Sequence, residues 1–213
     1  MSSGNFSKFI SIYYDVMFKS ILPIKKLFKV NYRSNYMIGK LRIPLENGRY
    51  DNYYGEIRDN MANGFGKSKN NKGESYIGNF INNKKNGQGT WMRTGWGGTI
   101  ETYSGQWKDN ERHGQGKYSH DDGSYSGGWK DGEQHGMGKE NYGPSKYDNG
   151  GQYVGEWVNG SWKGFGVWTD ENDTSYKGVW GDGGMDGIFV ITDDDGHSFN
   201  QEYSKGKLIE KTN

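Results

Sequence analysis

Polar and apolar positions alternate with a period of two along most of this chain, and glycines punctuate the alternation. The stretch "YSGQWKDNERHGQGKY", residues 103–118, shows the unit. Tyr103, Gly105 and Trp107 share one parity, while Ser104, Gln106 and Lys108 share the other. Successive side chains of a strand point to opposite faces, so ring, glycine and ring line one face and polar groups the other. A segment rich in Asp, Asn and Gly follows, and it predicts a tight turn. Gly114-x-Gly116 then opens a returning strand that ends in Tyr118. The pattern predicts a β-hairpin.

The same spacing recurs six times. Tyrosine stands at 53, 76, 103, 125, 153 and 176, and glycine two residues later at 55, 78, 105, 127, 155 and 178. Two further on are Ile57, Phe80, Trp107, Trp129, Trp157 and Trp180. A second glycine follows nine residues after the first, and in five units it begins Gly-x-Gly; the sixth reads Gly187-Ile188-Phe189. A half unit with Phe199 and Tyr203 ends the series. A fixed register over this length marks a repeat architecture in which each unit leans on its neighbours. Successive hairpins then extend one antiparallel meander. A single sheet has no second layer, so the rings are expected to lie on the bare backbone of neighbouring glycines. One layer is not expected to bury all of its rings.

The pattern Tyr-x-Gly-x-Trp-x6-Gly-x-Gly at about 23 residues resembles the MORN repeat. The resemblance runs over residues 53–206, with departures at Ile57, Phe80, Phe189 and Gln201. It implies an all-β fold: a single-layer antiparallel meander of about six hairpins forming an elongated, curved sheet, with a helical or irregular N-terminal arm. It also implies that protein segments dock along the aromatic face. Such arrays occur in radial spoke head proteins of cilia, junctophilins, a SET-domain histone methyltransferase, plant phosphatidylinositol phosphate kinases and apicomplexan cytoskeletal proteins. Catalysis in those proteins belongs to other domains or chains. The expected docking groove is Tyr76, Phe80, Tyr103, Trp107, Tyr125, Trp129, Tyr153, Trp157, Tyr176 and Trp180.

Composition sharpens this picture. Only 31% of the 213 residues are hydrophobic, yet 15% are aromatic, and 36 are glycine. Average usage would give roughly 15 glycines. Disordered chains are poor in aromatics, so the low mean hydropathy of −1.05 does not mean disorder throughout. Without cysteine there is no disulfide, thiolate metal site or thiol nucleophile, and no signal peptide is visible, which favours an intracellular setting. The net charge of +1 hides an asymmetry. Residues 1–50 hold nine Lys and Arg against Asp15 and Glu46, and the remainder is acidic.

Candidate chemistry is sparse. No Gly-x-Gly completes a phosphate-binding fingerprint. His113 and His135 are aligned turn residues that lack a third ligand for a metal. Asp121-Asp122, Asp170-Glu171 and Asp193-Asp194-Asp195 are solvated turn acids before they are a calcium site. The expectation is a non-catalytic scaffold with no cofactor, no metal and no nucleic-acid partner, working with other protein subunits. A membrane tether binding anionic phospholipid and an enzyme-recruiting adaptor are the competing readings.

Residues 1–52 form the arm and a degenerate cap, 53–206 the array, and 207–213 a tail. In the arm, apolar residues at 6, 9, 10, 13, 17 and 21 follow helical spacing up to Pro23. Lys19, Lys25, Lys26 and Lys29 make it basic, and they are the expected attachment residues. Three readings stay open: an amphipathic segment on a membrane, an arm packed on a subunit or on its own acidic sheet, or a mitochondrial presequence. Cytoskeletal, axonemal or membrane-associated placement follows from the first two, and mitochondrial placement from the third.

Overall fold

A computed structural model describes residues 36–45, 48–143, 150–182 and 184–212. The arm, with Lys19, Lys25, Lys26 and Lys29, lies outside the described residues. The rest is one open antiparallel sheet. An opening strand β1 (Met37–Pro44) is followed by hairpins β2 (Tyr50–Arg58) with β3 (Met61–Lys69), and β4 (Glu74–Ile81) with β5 (Lys84–Thr94). Next come β6 (Ile100–Lys108) with β7 (Glu111–His120), and β8 (Gly123–Lys130) with β9 (Glu133–Tyr142). The last are β10 (Gly151–Val158) with β11 (Ser161–Asp170), then β12 (Ser175–Gly181), β13 (Gly184–Met185), β14 (Gly187–Thr192), β15 (Ser198–Ser204) and β16 (Lys207–Thr212). Strand order follows chain order throughout, with the short β13 paired to β12 alone. The half unit at Phe199–Tyr203 is thus a seventh hairpin: β16 pairs with β15 over the residues expected to form a tail. Lys205-Gly206 supplies the tight turn that a reading for Tyr and Trp alone passes over.

The hairpin tips explain the Asp-Asn and Asp-Gly pairs. Asp109 and Asn110 have φ of 50° and 78°, and Asp131 and Gly132 have 50° and 88°. Two consecutive left-handed residues make the turn whose twist matches a hairpin. Each tip also reaches back one unit. Asn83, Asn110, Gly132 and Gly160 donate their N–H to the carbonyls of Ala62, Lys85, Arg112 and Gln134, each at 3.0 Å. Asn83 and Asn110 add a second bond, because their side-chain oxygens accept the N–H of Ala62 and Lys85 at 2.7 and 2.8 Å.

The tyrosines lie flat on glycine. A Cβ built on Gly127 would sit 2.7 Å from the Tyr125 Oη and 2.6 Å from the Met137 carbonyl. No side chain other than hydrogen fits between ring and backbone. A register shift within most hairpins, for example between Gly127 and Trp129, leaves a residue out of the ladder. Its carbonyl would be unpaired, and the tyrosine hydroxyl donates to it. Tyr53, Tyr103 and Tyr125 bond the carbonyls of Glu56, Gln106 and Gly128 at 2.8, 2.9 and 2.9 Å. Phenylalanine fills the space but cannot make that bond. Burial drives the Tyr53, Tyr76 and Tyr125 hydroxyls above their usual range.

The sixth hairpin solves the same problem differently. Phe189 stands where the second Gly-x-Gly glycine would, and its ring, fully buried, covers Gly178. Tyr176 is left half-buried at the side. The single layer therefore hides the rings at the repeat's Tyr and Trp positions, since Tyr103 and Tyr153 have no exposed surface and Trp129 has 4%, while other rings of the sheet stay half-buried. Flat seating on glycine, with indole edges filling between the phenols, removes the need for a covering layer.

Candidate functional site

Tyr76, Phe80, Tyr103, Trp107, Tyr125, Trp129, Tyr153, Trp157 and Trp180 are brought together in one row across the sheet. Phe80, Trp107, Trp129 and Trp157 each stand edge-on between the tyrosine of their own hairpin and that of the preceding one, and Trp180 stands between Tyr153 and Phe189. Trp129 is 5.1 Å from Tyr103 and 5.2 Å from Tyr125, at interplanar angles of 85° and 87°. Trp107 is 5.3 Å from Tyr76 and 5.0 Å from Tyr103. Such edge-to-face pairs add about 0.5–1.5 kcal/mol beyond area burial. The indole N–H fixes the step: Trp107, Trp129 and Trp180 donate to the carbonyls of Gly89, Gly116 and Gly166 in the preceding hairpin, at 3.1, 3.2 and 3.2 Å. Trp157 Nε1 is buried without such a partner.

These rings face each other, so a partner on this face meets what lies over and beside them. Trp91, Tyr118, Tyr142, Trp162, Trp168 and Tyr176 are half-buried and packed on the row. Register places them on the same face: Tyr103 is opposite Trp91 on one side and Tyr118 on the other, and Tyr153 is opposite Trp168. Trp162 stacks on Tyr153 at 4.1 Å and 4°.

A second set of residues on this face escapes the spacing rule. Five residues after each Trp position come Ala62, Lys85, Arg112, Gln134, Trp162 and Met185. They sit opposite the Trp position across the hairpin, as Arg112 does to Trp107 and Trp162 to Trp157. A stretch such as "KDNERHG" reads as a turn, yet its arginine is the second residue of β7 and lies over the rings. The signal that reveals it is parity, because Arg112 precedes Gly114 by two. Its guanidinium carbon is 4.5 Å from the Tyr118 centroid, 5.1 Å from Trp129, 5.3 Å from Tyr103 and 5.6 Å from Trp91. Lys85 Nζ is 5.1 Å from the Trp107 centroid and 5.4 Å from Tyr76. Burial lowers both pKa values, and Asp51 and Glu74 partly offset this for Lys85. Ring faces stabilise a cation that has lost water.

Charge is concentrated at one border of this face. Arg93 pairs with Glu101, whose other oxygen accepts from Tyr118 Oη at 2.9 Å. Buried Asp51 accepts from Ser68 Oγ at 3.2 Å, and burial raises its pKa. A cleft of about 590 Å3 opens there between Arg49, Asp51, Glu74, Phe80 and Lys85. Elsewhere, the turn acids are engaged locally. Asp170 Oδ1 accepts the N–H of Asn172 and Thr174, and Asp193 Oδ1 that of His197. The Nδ1 atoms of His113 and His135 are buried without a hydrogen bond, and among the described residues no group of three His, Asp or Glu could hold a metal.

Glu140 occupies a ring position, opposite Tyr125 and Tyr153. Burial, the leading cause, raises its pKa, while the Tyr142 hydroxyl and His120 oppose the shift. A carboxyl that binds its proton more tightly when folded costs stability in full above its folded pKa, and the cost shrinks as pH falls from the folded pKa to the unfolded one. Glu140→Gln is therefore expected to raise the unfolding midpoint at pH 7, with the gain shrinking toward acid. Melts of both proteins across pH 4–8 check this; a gain independent of pH, or a loss, refutes it.

Fold and face together define a hairpin-repeat sheet with a tyrosine-on-glycine core. The family model for the MORN repeat matches residues 53–74, 76–96, 103–124, 125–144 and 153–175, half of the chain. The chain belongs to the MORN-repeat family. The matched units coincide with the five hairpins from β2 to β11; the sheet continues past them through β16 in the same order. Repeats of this family serve in protein interaction and membrane binding and are generally non-catalytic. No curated protein matches the chain.

Proposed function

We propose that the chain is a non-catalytic scaffold that docks a segment of a partner protein across its ring-lined face. The observation that supports it is the row of half-buried rings, Trp91, Tyr118, Tyr142 and Trp168, seated over a closed aromatic core. Aromatic side chains on a rigid base are the usual anchors of an interface. Arg112 and Lys85 add cationic points that accept carboxylates or carbonyls from a passing chain.

Two substitutions on this face, Trp91→Gln with Trp168→Gln, test the reading. Both rings stand beside the core rather than within it, so the melting midpoint is a control for folding. Purification of the native complex with the intact chain should retain a partner that the variant loses, and the partner should then bind directly in a titration. Equal retention by the folded variant refutes docking on this face. A second reading, attachment to an anionic membrane, rests on the basic composition of residues 1–50. It predicts that the pure protein pellets with anionic vesicles and is released by salt.

A further inference from the structure

The face opposite the rings changes character along the sheet. The positions flanking each central glycine there carry Gln88, Thr90, Ser104, Gln106, Gln115, Lys117, Ser126 and Gly128 in β5–β8. From β9 onward most of the same positions, with those beside Phe189, are apolar: Val167 and the exposed Met137, Val154, Phe165, Val179, Ile188 and Val190, interrupted by Lys139, Glu156 and Lys177. Register makes them one patch. Val154 is opposite Val167, Phe165 opposite Val179, and Val190 opposite Lys177. Alternation alone would put polar groups at these sites, as it does in the middle of the sheet.

We propose that this patch seats a second copy of the chain, with two outer faces packed sheet on sheet about a two-fold axis. The patch crosses five strands, about 20 Å at the usual strand spacing. Doubled with its rim, such an area reaches the low end of specific interfaces, about 1,200 Å2 in total. Its residue types suit a flat layer, since four of the six exposed apolar residues are β-branched and stand one side chain high, as in the facing layers of a sandwich. Charges of both signs share this face: Lys139 in β9, Glu156 in β10, where its Oε1 accepts the N–H of Phe165 at 3.2 Å, Lys177 in β12, and Glu202 in β15 at the edge of the patch. Lys177 Nζ also lies 5.7 Å from the Phe165 ring centroid. A strongly acidic or basic partner would leave part of these charges unmatched, whereas a second copy brings both signs to the same surface. The inference concerns the face away from the rings, so it stands or falls separately from docking of a partner segment.

Sedimentation and light scattering of the full chain over a concentration series test it. A dimer that dissociates on dilution is expected. Phe165→Asp and Val179→Asp, each pointing to solvent, should raise its dissociation constant about tenfold or more without changing the circular dichroism or the melting midpoint at low concentration. Lys177→Glu should also weaken the dimer, since it removes the cation beside Phe165 in both copies. A chain that is monomeric at every concentration overturns the proposal, and so does a dimer unaffected by both aspartates in folded protein. Binding of a monomeric chain to neutral phosphatidylcholine vesicles that is lost in Phe165→Asp would assign the patch to lipid and overturn the pairing as well.

Discussion

Replacing Trp129 by alanine is expected to destabilise the sheet by about 3–5 kcal/mol, the usual range for a buried tryptophan. The indole is 4% exposed and stands edge-on to Tyr103 and Tyr125. It also donates to the Gly116 carbonyl and lies beneath Arg112. Its loss removes the joint between the third and fourth hairpins as well as its own burial. Collapse cannot close the gap, because the two tyrosines are pinned to their glycines and to the carbonyls of Gln106 and Gly128. Urea unfolding monitored by circular dichroism measures the loss. An unchanged midpoint would mean that the ring row is not what holds the hairpins together.

Gly116→Ala is the second large effect, with an expected loss of about 2–3 kcal/mol. The argument turns on sign. Gly116 has ordinary extended backbone, and replacing such a glycine by alanine gains about 0.4–1 kcal/mol by restricting the unfolded chain. The new Cβ, however, would stand 2.5 Å from Tyr103 Cζ and 2.6 Å from Cε2. The ring cannot lift, because Trp107 and Trp129 flank it and its hydroxyl is bonded. Overpacking therefore wins. A double-mutant cycle isolates the cause: beside Tyr103→Ala, the alanine at 116 should be neutral or mildly stabilising. The same loss in both backgrounds would place its origin elsewhere.

The hairpins were legible from the sequence because a period of two and a fixed glycine are both backbone requirements. What Tyr, Gly and Trp do was legible only in part. Spacing put them on one face, but it could not show that phenol lies on glycine while indole stands between phenols, and that geometry decides how much ring is left for a partner. Arg112 and Lys85 were hidden inside stretches whose composition reads as turn; their parity with the following Gly-x-Gly was the available clue. By residue type Phe189 is a broken repeat, whereas the physical need at that place is a ring over Gly178. The seventh hairpin is hidden in the sequence because Lys205-Gly206 carries the turn without the ring pattern. The apolar outer patch was visible as Val, Phe and Ile in polar positions, and its continuity needed the strand register.

The meander also gives the molecule a graduated length. Each hairpin contributes two strands, a step of about 10 Å across the sheet. A partner chain extended along that direction passes about three residues per step. The intervals of 22 residues from Gly105 to Gly127 and 28 from Gly127 to Gly155 produce the same two-strand advance, because the extra residues fall between hairpins. Distance along the molecule is thus decoupled from chain length. Gaining or losing one whole unit would move every anchor beyond it by one graduation and leave the joints between the others as they were.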